Sequence, residues 1–237
     1  MKFSLLLYLF LSACLTCFAL TEPQTKSQAD SLLKKADENL YAHPQQSVYY
    51  ALQAKEAAQS PALQAQALYT YAMAERLQGN FDNSIQALYE AEEKLPKGNT
   101  ILKGNIYNLM SLGYCNLGDY NKAITLSNKA ISIFKTENDS VNLALCYNNR
   151  GIIHTYIHEF EQADYFLKKA LDINRSTKDL KRIAANLNNL CLYPGNTEER
   201  LKWINEAIVI NKHLDATWSL SENYNNLGKI YIYAQRY

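Results

Sequence analysis

Residues 107–133 read YNLMSLGYCNLGDYNKAITLSNKAISI, and forty residues further on 147–173 read YNNRGIIHTYIHEFEQADYFLKKALDI. Seven slots agree at a spacing of 40: Tyr107 with Tyr147, Asn108 with Asn148, Tyr120 with Phe160, Ala123 with Ala163, Ala130 with Ala170, Ile131 with Leu171, and Ile133 with Ile173. A register kept over that many positions is an internal repeat. Repeats of this length build solenoids, because one unit cannot bury its apolar face alone. Tyr107, Ser111 and Tyr114 fall within about 60° of one another on a helical wheel, whereas Ala123 and Ala130 share one face of a second helix. Small side chains on that face let two helices approach closely.

The helical pattern continues on both sides of this stretch. Upstream, Ala29, Leu32, Leu33 and Ala36 carry a 3–4 spacing, and His43-Pro44 breaks that helix. Val48, Ala51, Leu52 and Ala58 mark the next helix, and after Pro61 a further pair is expected over 65–77 and 81–95. At Asn116-Leu117-Gly118-Asp119 the glycine supplies a turn and the aspartate an N-cap. Downstream, Tyr193-Pro194-Gly195-Asn196 cuts a helix short, and Arg200 replaces the alanine of Ala123 and Ala163. A local distortion, with room for a pocket, is expected there. Tyr224, Gly228 and Tyr231 open a last unit, and Tyr237 takes the slot of Tyr120 and Phe160. That ending would leave Leu227, Ile230 and Tyr231 without a covering helix, and reads as the front part of a longer protein.

The chain has 237 residues, 48% hydrophobic and 20% charged, with 8 Gly and 5 Pro. This supports a large apolar core and excludes long flexible linkers. A formal net charge of +1 gives no general attraction to nucleic acid or anionic lipid, so no nucleic-acid partner is expected. Residues 1–20 read as a signal peptide: Lys2, an apolar run over 3–10, then Cys17-Phe18-Ala19 as a cleavage site. Leu11-Ser12-Ala13-Cys14 also resembles a lipobox, which would make Cys14 a lipidated first residue, and an uncleaved anchor is a third reading. Each places the remainder outside the cytoplasm, in the periplasm or cell envelope. Cys115, Cys146 and Cys191 then remain, an odd number at unrelated places in the repeat, and read as buried free thiols. Cys191 shares its slot with Gly151 and Gly228, where only a small side chain is expected to fit.

These units resemble tetratricopeptide repeats. The family's aromatic, small and aromatic residues on the first helix match Tyr107, Ser111 and Tyr114. Its turn matches Gly118-Asp119-Tyr120, and its paired alanines match Ala123 and Ala130. The next copy reads Tyr147, Gly151, Phe160, Ala163 and Ala170, with His154 in place of the second aromatic. Weaker copies show Ser47 and Ala54, then Ala72, Gly79, Phe81 and Ala91. The resemblance covers residues 27–237 and implies an all-α fold, a right-handed superhelical solenoid of antiparallel helix pairs with about five and a half units. Beyond a 1–20 leader, the 21–237 array divides into units at 27–60, 62–96, 101–136, 141–176 and 180–214, with 217–237 incomplete. The 40-residue period is similar to that of the kinesin light chain type. Exported arrays of the Bacteroidetes signalling type, which this chain resembles, precede a membrane helix and a cytoplasmic signalling part. A membrane link is expected only through a lipid anchor or such a C-terminal part.

In this family the first helices line a concave face that holds peptides. Here Asn108, Asn148 and Asn188 recur every 40 residues, followed by Asn225, and three of these four begin pairs completed by Asn149, Asn189 and Asn226. On the wheel these pairs straddle the side opposite the core, and a carboxamide offers donor and acceptor together to any extended backbone. Tyr69, Leu112, Ile152 and Tyr156 would add apolar and aromatic contact. The partner implied is a protein or peptide. The alternatives are that Asn-Asn merely tolerates a solvated helix face, or that the asparagines bond to the neighbouring unit. On the groove reading, replacing Asn148 and Asn188 should weaken binding at little cost in stability. No phosphate loop or nucleophile elbow is present, so no catalytic residue and no cofactor is expected. His154 and His158 stand one turn apart near Glu161, but His154 fills a core slot and no third metal ligand is spaced suitably. Asn138-Asp139-Ser140 and Asn174-Arg175-Ser176 match glycosylation acceptors, relevant only to a eukaryotic route. An enzyme built around Pro194 and Arg200 and a purely structural envelope lipoprotein are the alternatives to a binding scaffold.

Overall fold

The computed structural model describes residues 28–95, 100–192 and 196–234. The leader, with Cys14 and Cys17, therefore lies outside the described residues, as do Pro194 and Tyr237. Eleven helices make up the described chain: α1 (28–39), α2 (Pro44–Ala57), α3 (Pro61–Leu77), α4 (Phe81–Lys94), α5 (Thr100–Asn116), α6 (Tyr120–Thr136), α7 (Ser140–Tyr156), α8 (Phe160–Ser176), α9 (Leu180–Leu190), α10 (Thr197–His213) and α11 (Thr217–Ala234). They fall into two compact units divided between Leu117 and Gly118. Within each unit, helices consecutive in sequence pack side by side through linkers of a few residues, so neighbours run antiparallel.

One turn recurs, and its chemistry explains why the helices double back where they do. In six of the seven three-residue linkers, the one from α2 to α3 being the exception, the middle residue sits at positive φ: Gly79, Gly118, Asn138, His158, Lys178 and Asp215. A backbone bond then closes each helix end, as from Asp139 N to Phe134 O (2.9 Å) and from Asp179 N to Asn174 O (3.0 Å). The linker's last residue starts the next helix. Asp119, Asp139 and Asp179 each accept from a backbone N–H three residues on, at 3.0 Å. Glycine takes the left-handed conformation freely, whereas His158 and Lys178 adopt it against a Cβ penalty.

Ala123, Ala130, Ala163 and Ala170 are fully buried, as the repeat requires. Their smallness matters most beside Gly151, where an added Cβ would lie 2.5 Å from Leu167 Cγ. The slot does not behave alike in every unit. Around Gly228 nothing lies within 4 Å of a Cβ, so the expected restriction to small residues fails there. Cys191, in the same slot, is buried and its Sγ donates to Asn188 O at 3.0 Å. Cys115, Cys146 and Cys191 are free and buried, and burial pushes the Cys115 and Cys191 thiols up to about 11.

The fifth pair is shortened as expected: α9 has 11 residues where α7 has 17. Arg200 does not open a pocket. It is buried, and its Nε donates to Cys191 O at 2.9 Å, satisfying the early end of α9. Nor is the apolar face of α11 left wholly bare. Ile230 is buried in a cluster with Leu187, Leu190, Ile204 and Ala207, although Tyr224 and Tyr231 are half exposed.

Candidate binding groove and its asparagine network

The asparagines fold into a network that ties the first helices of the second unit together. Asn148 Oδ1 on α7 accepts from Asn186 Nδ2 (2.7 Å) and Asn189 Nδ2 (2.8 Å), both on α9. One repeat later, Asn188 Oδ1 on α9 accepts from Asn223 Nδ2 (2.8 Å) and Asn226 Nδ2 (3.0 Å), both on α11. Each inner member has a further partner on the preceding second helix. Asn174 on α8 donates to Asn186, and Asn211 on α10 donates to Asn223. These four inner asparagines are 1–4% exposed, so every unmade bond would leave a carboxamide unpaired away from water.

This arrangement corrects part of the sequence reading. Asn108, Asn149 and Asn226 are buried rather than facing solvent, and Asn226 reaches back to Asn188 on the preceding first helix. Replacing Asn148 or Asn188 cannot be nearly neutral for stability, because each holds two donors from the following unit. Asn225 stays exposed. Ile152 is half-buried, and Tyr156, exposed, stacks on Tyr120 with centroids 6.4 Å apart. Tyr69 and Leu112, both half-buried, belong with Asn108 to the first unit. Asn174, matching a glycosylation acceptor, is 3% exposed and closed to modification.

Between α9 and α11 the network borders a groove of about 540 Å³. Its α9 wall is Lys181, Ala184, Ala185, Asn188 and Asn189, and the α11 wall carries Trp218, Ser219, Glu222 and Asn223. The corresponding gap between α7 and α9 holds only about 50 Å³ and is lined by Leu145. Ala185 occupies Leu145's place one repeat later, which removes the filling side chain. With its oxygen committed, Asn188 keeps an Nδ2 donor that has no partner among the described residues. Asn189, whose nitrogen is committed, keeps its Oδ1 acceptor. One free donor and one free acceptor on adjacent residues match the C=O and N–H of an extended peptide. Sequence reasoning missed Asn174, Asn186, Asn211, Asn223, Trp218 and Glu222. An Asn-x-x-Asn spacing at 186–189 and 223–226 was the available signal.

A second polar cluster is closed. His154, 5% exposed, stacks on Phe166 with centroids 5.4 Å apart. Arg150 Nε donates to its Nε2 at 2.9 Å, and Glu159 Oε2 lies 2.7 Å from Nδ1. An imidazole that accepts at Nε2 is neutral and donates from Nδ1. Burial, aided by the Arg150 charge, lowers the His154 pKa below its ordinary value against the opposing pull of Glu159. Glu159 stands at the start of α8 but gives its carboxylate to His154, so it does not cap the helix as Asp139 and Asp179 do. Among the described residues no group of three His, Cys, Asp or Glu could hold a metal ion, and no helix is long and apolar enough to cross a membrane.

Residues 102–176 match the tetratricopeptide repeat family. No curated protein matches the sequence. Among solved structures, BtubC from P. vanneervenii is 21% identical, with a TM-score of 0.62 over 89% of this chain and 84% of that one. Aspartyl phosphate phosphatase F from Bacillus subtilis is 17% identical, with a TM-score of 0.66 over 89% and 60%. A signal transduction ATPase with a tetratricopeptide repeat sensor, from Pyrococcus horikoshii, is 17% identical, with a TM-score of 0.65 over 90% of this chain and 37% of that one. The likeness is one of fold: an all-α solenoid of antiparallel helix pairs.

Proposed function

We propose that this chain is an exported binding scaffold that holds an extended protein or peptide segment in the groove between α9 and α11, as the extracytoplasmic sensory part of a signalling regulator. The observation that carries the reading is the pair of uncommitted amide faces, Asn188 Nδ2 and Asn189 Oδ1, on the wall of a 540 Å³ groove. Ligand sites commonly fall within about 300–1,000 Å³. The likeness to an ATPase with a tetratricopeptide repeat sensor supports the sensory role, and the apolar run after Lys2 supports export. Its work is binding; no reaction is assigned to it.

The binding test is an array of end-blocked octapeptides of varied sequence, read against the full chain and against Ala185→Trp, which fills the groove from an exposed position. Binding should be lost in the variant while the unfolding midpoint stays unchanged. Equal binding by both proteins would overturn the placement. The export test is the intact mass of chain recovered from the envelope. Loss of residues 1–20, or a diacylated Cys14, supports export, whereas full-length chain confined to the cytosol overturns it.

A further inference from the structure

Resting on that groove reading, we infer that the α9–α11 groove selects a basic side chain, lysine or arginine, of the bound peptide and seats it between the Trp218 ring and the Glu222 carboxylate. Trp218 and Glu222 stand one turn apart on α11 and both line the groove. Trp218 is 74% exposed, an unusual placement for a large aromatic side chain that nothing in its own unit covers. Its counterpart Trp203 is 9% exposed and carries Lys168 Nζ over its ring at 5.5 Å, whereas no cation of the described residues stands over Trp218.

Glu222 is unpaired in the same sense. Some carboxylates of this unit have cations close by, as Glu206 bonds Arg175 at 2.8 Å, Asp164 meets Lys168 at 2.9 Å and Asp179 meets Arg182 at 3.2 Å, but only Glu222 lines the groove beside an uncovered tryptophan. No cation of the described residues lies within 4 Å of Glu222. Desolvation raises its pKa, a cost that an incoming cation would offset. A planar aromatic face beside a lone carboxylate is the surround that suits a guanidinium or ammonium group, through cation–π attraction and a charge-assisted hydrogen bond. The remaining groove charge, Lys181, is on the α9 wall. It repels a second cation and favours a carbonyl or acidic residue on that side, so the pocket takes one basic residue in one orientation.

The test uses end-blocked hexapeptides Ac-Ala-Ala-X-Ala-Ala-Ala-NH2, with X as Arg, Leu or Glu, titrated into the full chain while the two tryptophan indole N–H resonances are followed. The Arg peptide should move the Trp218 resonance, leave Trp203 in place, and bind at least fivefold more tightly than the Glu peptide. Glu222→Lys should reverse that order, and 1 M salt should compress it. If all three peptides move Trp218 with equal affinity and Ala185→Trp abolishes the response, the groove stands and the basic preference is overturned. If none moves Trp218, both readings fall. An unchanged order in Glu222→Lys also overturns the preference.

Discussion

The junction between α6 and α7 and the junction between α8 and α9 put opposite chemistry into the same slots. Forty residues before Asn174 and Asn186 stand Phe134 and Cys146, each fully buried. Thirty-seven residues after them stand Asn211 and Asn223, which repeat the carboxamide pair. An apolar pair fills space and is indifferent to what lies beyond it. A carboxamide pair must hand its remaining donor onward, and it does so to Asn148 in one repeat and Asn188 in the next. The later junctions therefore fix the register of one first helix against another by directed bonds, with the groove immediately beside them. Polar networks of this kind specify geometry more than they add net stability, provided that every member is satisfied.

The most severe way to break this contrast is to remove one member only. Asn186→Leu should cost about 3 kcal/mol in urea unfolding, since it strands the Asn174 donor and one lone pair of Asn148. Asn174→Leu combined with Asn186→Leu, near-isosteric and apolar like the α6–α7 pair, should recover at least half of that loss. A double variant as unstable as the sum of its singles would mean that the network is not a unit.

The glycine slot sharpens the comparison at the next level down. Gly151→Ala should cost about 1–3 kcal/mol, because Leu167 and Ala163 O leave no space for a methyl group. Gly228→Ala, in the same slot with open space around it, should instead stabilise by up to about 1 kcal/mol through helix propensity. Equal midpoint shifts for the two would contradict the packing described for α7 and α8.

The smallest effect belongs to His154 and depends on pH. Its folded-state pKa is depressed, so its contribution is complete above about 6.5, where both states are neutral. As pH falls through that value the unfolded chain takes the proton first, and stability drops until the folded form protonates too. Unfolding midpoints from pH 7.5 to 5 should show this fall in the native chain and lose most of it in His154→Gln. An identical pH slope in both proteins would assign the titration elsewhere.

Helix positions were legible in the sequence because one physical rule, apolar residues returning every turn, acts within a single helix. The turns were legible where glycine occupied them, as at Gly118. The left-handed backbone at His158 and Lys178 was not legible, because neither residue type gives a hint of it. The asparagine ladder was visible as a spacing, but its meaning was not. A wheel placed Asn226 away from its own helix's core, whereas its partner there, Asn188, stands on a helix some forty residues distant in sequence. Asn174 and Asn186 carried no ladder signal in the earlier repeat, where Phe134 and Cys146 stand.

By itself, then, the sequence determined an all-α array and the faces its helices bury, since the 40-residue register and the small residues at Ala123, Ala130, Ala163 and Ala170 act locally and identically in each copy. Only the tertiary structure decided which amide of each asparagine is committed and which is open, where Trp218 and Glu222 meet a groove, and that Arg200 closes a helix end. Those outcomes depend on contacts between residues far apart in the chain, whose partners change from one repeat to the next while the spacing stays the same.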